Sequence, residues 1–168
     1  MERIVSYQYT ELIQAGFDLI PQAIADRLRY VHFFTGTDPI WAGLFNWEDT
    51  DDNRSFRDTW CSCKPSSLDK LPKYLQTPTI IMPTPQMEGY PYRLLPALVV
   101  HELGHQLDDI LGNQLLVAPV TYYAMRDREE AFAEAFTCWL FPRYGQYYDI
   151  IDRIDDKTMA LFTQLIRS

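Results

Sequence analysis

The sequence predicts an α+β fold, and three observations carry that reading. Short aromatic or β-branched segments bounded by Gly, Pro, Asp and Asn occupy much of the stretch from Tyr30 to Met82. Beyond Pro91 the pattern changes to helical periodicity, closed by cap and stop residues. The chain has 168 residues and a hydrophobic fraction of 47%, enough for one domain with its own core, 1–168, and too little for two comfortable ones.

In chain order, Thr10 to Tyr30 reads as helical through Leu12, Ile13, Leu19, Ile20, Ile24 and Leu28. Pro21 breaks or restarts that helix, because it lacks the N–H that an interior position must donate. Tyr30–Phe34, Trp41–Trp47, Phe56–Cys63 and Thr79–Met82 read as strands of a small sheet. Ser66–Leu75 reads as a short helix, with Ser66 or Ser67 as N-cap and Asp69 in its first turn. Pro91–Leu111 is a long helix that starts in earnest at Leu95 or Pro96 and stops at Gly112 and Asn113. Asp127–Phe141 follows, with Asp127 as N-cap and Pro142 just beyond its end. Lys157–Ile166 is the last helix, with Asp155 or Asp156 as its N-cap.

The net charge of −8 argues against a nucleic-acid ligand, because phosphate contacts need clustered Lys and Arg. The acidic run Glu48–Asp52 reads as a solvated loop, since it lacks the Gly and terminal Glu of a calcium-binding EF-hand. No apolar stretch is long enough for a membrane span, and Met1–Ile13 lacks the apolar core of a secretory signal. As it stands the chain reads as cytoplasmic, with export by another route left open. Cys61, Cys63 and Cys138 make an odd number, and a bridge between Cys61 and Cys63 would be strained, so reduced thiols are expected.

The chemistry sits in His101-Glu102-Leu103-Gly104-His105, an HExxH pattern. On a helix, residues four apart lie about 40° apart around the axis, so both imidazoles leave one face and can grip a single ion. Glu102 falls about 60° from His105, beside the metal and off the ligand axis, where a general base belongs. Val99, Val100, Leu103, Leu107, Ile110 and Leu111 fall on the opposite arc and predict a core side. Gly104 costs about 1 kcal/mol of helix stability relative to Ala, which a close approach by a neighbouring backbone or by substrate would justify.

Zinc is the expected metal, and it needs a third ligand. The longer HExxHxxGxxH pattern is excluded, because Asp108 and Leu111 stand at its Gly and His positions. His32 lies far upstream and reads as a strand or surface histidine. A carboxylate is therefore expected, and Arg128–Phe136 (REEAFAEAF) offers Glu129, Glu130 and Glu134. The arrangement favours Glu130 as ligand and Glu134 as acceptor for a histidine Nδ1–H, with Glu134 and Glu129 as alternative ligands. Phe132, Phe136, Trp139 and Leu140 point the other way, into a core. Asp108 and Asp109 lie near the metal arc, Asp109 also four residues after His105, and one of the two is a candidate to orient a neighbouring group, with plain solvation at the helix end as the alternative.

His101–Gly112 (HELGHQLDDILG) together with Glu130–Phe136 (EAFAEAF) resembles the gluzincin domain of anthrax-lethal-factor-like peptidases, a group that includes small secreted Pro-Pro endopeptidases. The resemblance covers the two helices and their connection, and does not extend before Pro91. It implies a zincin-like fold: a small twisted sheet, an active-site helix and C-terminal helices. It implies Glu130 as zinc ligand, Glu134 as support, and an oxyanion-stabilising tyrosine seven residues before the ligand, here Tyr123. Tyr122, Tyr90, Tyr92, Tyr147 and Tyr148 are other tyrosines that could serve a cleft. The short connection between His105 and Glu130 is also similar to that of small repressor-cleaving peptidases of the ImmA/IrrE kind. The expected activity is zinc-dependent hydrolysis of peptide bonds, with Glu102 as base, Tyr123 as oxyanion donor and a protein or peptide as substrate. An edge strand such as Phe56–Cys63 would bind substrate by strand addition. The rival expectation is a binding or structural module with the same fold and no turnover.

Overall fold

The computed structural model describes residues 7–35, 61–63, 79–82, 95–141 and 150–167. They belong to two compact units, one formed by residues 1–11 and 30–90 and the other by 12–29 and 91–168. Both helix and strand are present, so the fold is α+β.

The first unit holds a three-stranded sheet of β1 (His32–Thr35), β2 (Cys61–Cys63) and β3 (Thr79–Met82), in the order β1-β3-β2. β3 pairs parallel with β1 and antiparallel with β2. Its register sets Phe33 beside Ile80, and both are fully buried, which is what their β-branched and aromatic character fits them for. β2 is the described end of the expected strand Phe56–Cys63 and lies at one edge of these three strands. The expected strand Trp41–Trp47 and helix Ser66–Leu75 lie outside the described residues.

The second unit is helical. The first predicted helix is two: α1 (Tyr7–Asp18), which belongs to this unit from residue 12 on, and α2 (Gln22–Arg27), separated at Pro21. Ile13, Phe17, Ile20, Ile24 and Leu28 are buried at spacings of three and four, while Gln14–Asp18 and Gln22–Asp26 pair on the exposed side. A Cβ at Gly16 would come within 2.7 Å of Val99 Cγ1, so this glycine is what lets α1 lie so close to the next helix.

That helix, α3, spans Leu95–Ile110, and Pro96 is tolerated in its first turn. Its end is a Schellman motif. Gly112 has φ +90° and Asn113 φ +56°, the Asn113 N–H reaches Asp108 O and the Gly112 N–H reaches Asp109 O. The sequence pattern predicts one apolar arc. Instead, residues 97–108 are buried all round except for His105, which is partly open. Ile110, assigned to the core arc, is exposed because the helix is ending there.

The chain then runs through a 3-10 turn, Tyr123–Met125, into α4 (Arg128–Leu140) and later α5 (Asp156–Arg167). Asp127 caps α4 by accepting the Glu130 N–H, and Asp155 caps α5 by accepting the Thr158 N–H. Phe132 and Phe136 of α4 meet Phe162 of α5 edge-on at ring-centroid distances of 5.7 and 5.8 Å, and Trp139 stacks on Phe162 at 5.1 Å. This aromatic cluster holds one side of α4, and Phe136 within it also borders Gly104 of α3.

Candidate metal centre

α3 supplies two histidines whose separation its own period fixes. His101 is buried and His105 is partly open, and their Nε2 atoms lie 3.2 Å apart. The rings meet at 84°, so the two nitrogens converge rather than stack.

α4 supplies the third group, and three features of the α3–α4 contact place it. A Cβ on Gly104 would lie 3.1 Å from Ala133 Cα and 3.2 Å from Phe136 Cδ1, so the glycine is required by a neighbouring backbone. Asp108, buried on α3, receives a two-pronged contact from Arg128, with Nη1 to Oδ1 at 2.9 Å and Nη2 to Oδ2 at 2.6 Å. Arg128 also donates to Leu115 O and Asn113 Oδ1, tying the start of α4 to the end of α3. Glu130 stands three residues after the capping Asp127. In a capping box the side chain at that position turns back to the N-cap amide. Here it turns towards the histidines, with Oε2 3.1 Å from His101 Nε2 and 3.4 Å from His105 Nε2.

The three atoms thus form a triangle with edges of 3.1, 3.2 and 3.4 Å. A tetrahedral ion with bonds of about 2.0–2.1 Å to N and O sets its ligands about 3.3–3.4 Å apart, so the triangle has the size of one face of such a site. Glu130 Oε2 is also buried and makes no hydrogen bond, an orphaned acceptor that a cation would satisfy. The residues fit a metal ion, and His101, His105 and Glu130 can hold one.

Charge gives the same answer. Glu102 and Glu134 are buried beside Glu130, so three carboxylates share a site with two imidazoles. Burial lowers the His101 pKa, but the close carboxylates of Glu130 and Glu134 and the charge of Glu102 outweigh it and raise it to about 10. Burial pushes Glu130 up, yet the two histidines override it and hold the carboxyl well below its ordinary range. Glu102 is raised, first by burial and further by Glu130, against the pull of both histidines. The group attracts positive charge, whether protons or a metal.

Glu134 lies behind His101, its Oε1 2.8 Å from Nδ1. That separation is hydrogen-bond length, although Nδ1 makes no aligned hydrogen bond as the ring stands. Glu134 Oε2 accepts a hydrogen bond from Thr121 Oγ1 at 2.7 Å. Tyr123, on the 3-10 turn, reaches Glu130 Oε1 at 3.4 Å through its hydroxyl, and its ring centroid is 6.1 Å from that of His101. Burial and the Glu130 charge push the Tyr123 phenol up to about 12, against the opposing pull of Arg126, so it remains a proton donor at neutral pH.

Of the residues singled out in the sequence, His101, Glu102, His105, Tyr123, Glu130 and Glu134 come together. Asp109 does not. Its Oδ1 accepts from Asn113 Nδ2 at the helix end, and the neighbouring aspartate that reaches across to α4 is Asp108. The physical reason is the helix phase: Asp108 sits towards α4, Asp109 towards the turn. His32 lies on β1 and Glu129 is partly exposed, and neither belongs to the triangle. Tyr122 is exposed, and Tyr90, Tyr92, Tyr147 and Tyr148 lie outside the described residues. Sequence reasoning missed Arg128 and Thr121. Arg128 opens a helix, where a positive charge opposes the macrodipole, and that misfit was the available signal.

No protein-family model, curated protein or solved structure matches this chain. Among the described residues no helix is long and apolar enough to cross a membrane.

Proposed function

We propose that this chain is a zinc-dependent endopeptidase of zincin-like fold, as the resemblance to gluzincins implies. The observation that carries the reading is the triangle of His101 Nε2, His105 Nε2 and Glu130 Oε2, with buried Glu102 on the same helix. Two imidazoles and one carboxylate, with a fourth position open, are a ligand set used in catalytic rather than structural zinc sites.

Zinc bound there supplies Lewis acidity, polarising a scissile carbonyl and making water more acidic. The residues do the rest. Glu102 takes the proton of the attacking water on its carboxylate and passes it to the leaving amine. Its burial favours the protonated form, which suits a group that must hold a proton between the two steps. Tyr123 donates its hydroxyl proton as a hydrogen bond to the oxygen on which negative charge develops. Glu134 orients His101 so that Nε2 faces the ligand triangle.

The test is a digest of a proteome-derived peptide library by zinc-loaded protein, beside the Glu102→Gln variant. The wild type should contain about one zinc per chain, as three protein ligands imply, and should cleave. Glu102→Gln should keep the zinc and lose at least about a hundredfold in turnover, the low end for a positioned general base. A wild type that binds zinc and cleaves nothing would favour a binding module on the same scaffold.

A further inference from the structure

Tyr123 stands on a single 3-10 turn, Tyr123–Met125. A turn that short has little stability of its own, because few hydrogen bonds offset the order it requires. Tyr122, at its N-terminal boundary, provides no side-chain cap. Something else must fix the turn if the phenol is to stay at the site.

That function falls to Thr121, which is buried. A buried hydroxyl must find partners, and this one uses both of its capacities. It accepts from the Ala124 N–H at 3.0 Å, closing the turn from the position before Tyr122. Its single proton goes to Glu134 Oε2 at 2.7 Å. The donor sense is fixed, because an amide cannot accept and a carboxylate cannot donate. The backbone at this point is held as well: Thr121 pairs with Ile150, and Val120 O accepts from the Ile151 N–H at 2.9 Å. One hydroxyl therefore joins the turn that carries Tyr123 to the carboxylate that backs His101.

We infer that Thr121 is a positioning residue, which holds the Tyr123 hydroxyl at the His101–His105–Glu130 centre by linking its turn to Glu134. This rests on the reading of Tyr123 as the oxyanion donor, so its test includes a measurement that needs no turnover. Thr121→Val keeps the shape and removes the hydroxyl. Thr121→Ser keeps the hydroxyl.

Thr121→Val should lower kcat by about tenfold to a hundredfold, up to what loss of one oxyanion donor costs, with KM within about twofold and one zinc retained. Thr121→Ser should restore most of that loss. In a Tyr123→Phe background, Thr121→Val should add little, because the two act as one unit. In parallel, 3-fluorotyrosine placed at position 123 of the metal-free protein reports where the ring sits. Its 19F signal should move towards that of free fluorotyrosine in Thr121→Val and stay near wild type in Thr121→Ser. An unchanged 19F signal in Thr121→Val overturns the inference whether or not the protein cleaves peptides. So does a full kcat loss that persists in the Tyr123→Phe background, or a Ser variant as poor as Val. If the 19F signal moves as expected but the wild type cleaves nothing, the positioning holds and the peptidase reading fails.

Discussion

α3 and α4 deliver side chains to the same point by different means. The two histidines of α3 are set on one face by the helix repeat, and would share that face in any intact helix of that sequence. Glu130 arrives from a second helix, and its place depends on how closely α4 lies on α3 and in what register. The α3 half of the centre is thus local and robust, whereas the α4 half is a product of packing. Substitutions at the interface should weaken the centre through Glu130 while leaving the histidine pair intact.

The largest effect should come from the α4 ligand itself. If Glu130 is the third zinc ligand as proposed, Glu130→Gln removes its charge from the centre, and zinc affinity measured by chelator competition should fall by more than about a hundredfold. Glu134→Gln removes support behind His101 and should cost about 10–100-fold, as for groups that orient a ligand. The opposite order would mean that Glu134 is the ligand and that the triangle has been assigned to the wrong carboxylate.

A comparable effect, graded by pH, follows from the α4 carboxylates that surround His101. They raise its pKa from 6.5 to about 10, so in apoprotein the imidazole keeps its proton through neutral pH. A raised folded pKa stabilises the apoprotein fully below the unfolded value of about 6.5, and that contribution is lost as pH rises through about 10. Metal binding has the opposite sign, because the ion must displace the proton. Zinc affinity should therefore climb by up to about tenfold per pH unit between these limits, with proton release measured by calorimetry in buffers of different ionisation heat. Glu134→Gln should lower the His101 pKa seen by 15N NMR of the apoprotein. A flat affinity across that window would mean that the α4 carboxylates do not hold the proton.

The same contrast explains what was legible in the sequence. His101, Glu102 and His105 form a pattern whose geometry needs only the helix repeat, and the stop at Gly112–Asn113 and the caps at Asp127 and Asp155 are equally local. The break at Pro21 was visible for the same reason. What depends on contact between helices was harder to read. Asp108 and Asp109 look alike in sequence, and only the crossing with α4 gives Asp108 the Arg128 partner. Gly104 signalled a close approach without saying what approaches, which is the Ala133 backbone. Thr121 carries no motif at all, because its role exists only where its hydroxyl meets a residue thirteen positions on.

Arg128 offers a way to disturb the packed half alone. Arg128→Leu strands the Asp108 carboxylate, which is 1% exposed, without its main partner. Breaking a buried pair costs about 3–5 kcal/mol, and because Arg128 itself is partly open the lower end, about 3 kcal/mol, is expected in urea unfolding of the apoprotein. Removing both charges in Asp108→Leu/Arg128→Leu should recover much of that loss, since the apolar pair leaves no buried charge. Zinc affinity should drop in the single variant. If stability falls and zinc affinity does not, Glu130 is positioned by something other than this tie.

The smallest effect, and the finest test of the comparison, lies at Gly104. On helix propensity alone Gly104→Ala should stabilise the protein by about 1 kcal/mol. Against that, the new Cβ would sit 3.1 Å from Ala133 Cα and 3.2 Å from Phe136 Cδ1. The phenyl ring can turn a few degrees, but the Cα can retreat only if α4 moves, and overpacking of this kind costs about 1–3 kcal/mol. The net expectation is a loss of about 0–2 kcal/mol from these opposed terms. Zinc affinity should weaken with it, because any retreat of α4 carries Glu130 Oε2 away from two nitrogens that stay where α3 holds them. Adding Ala133→Gly removes the 3.4 Å contact to the Ala133 Cβ but not the one to its Cα, so rescue should be partial. If Gly104→Ala instead stabilises the protein and leaves zinc affinity unchanged, α4 yields freely, and the close crossing is not what keeps its carboxylate on the histidines.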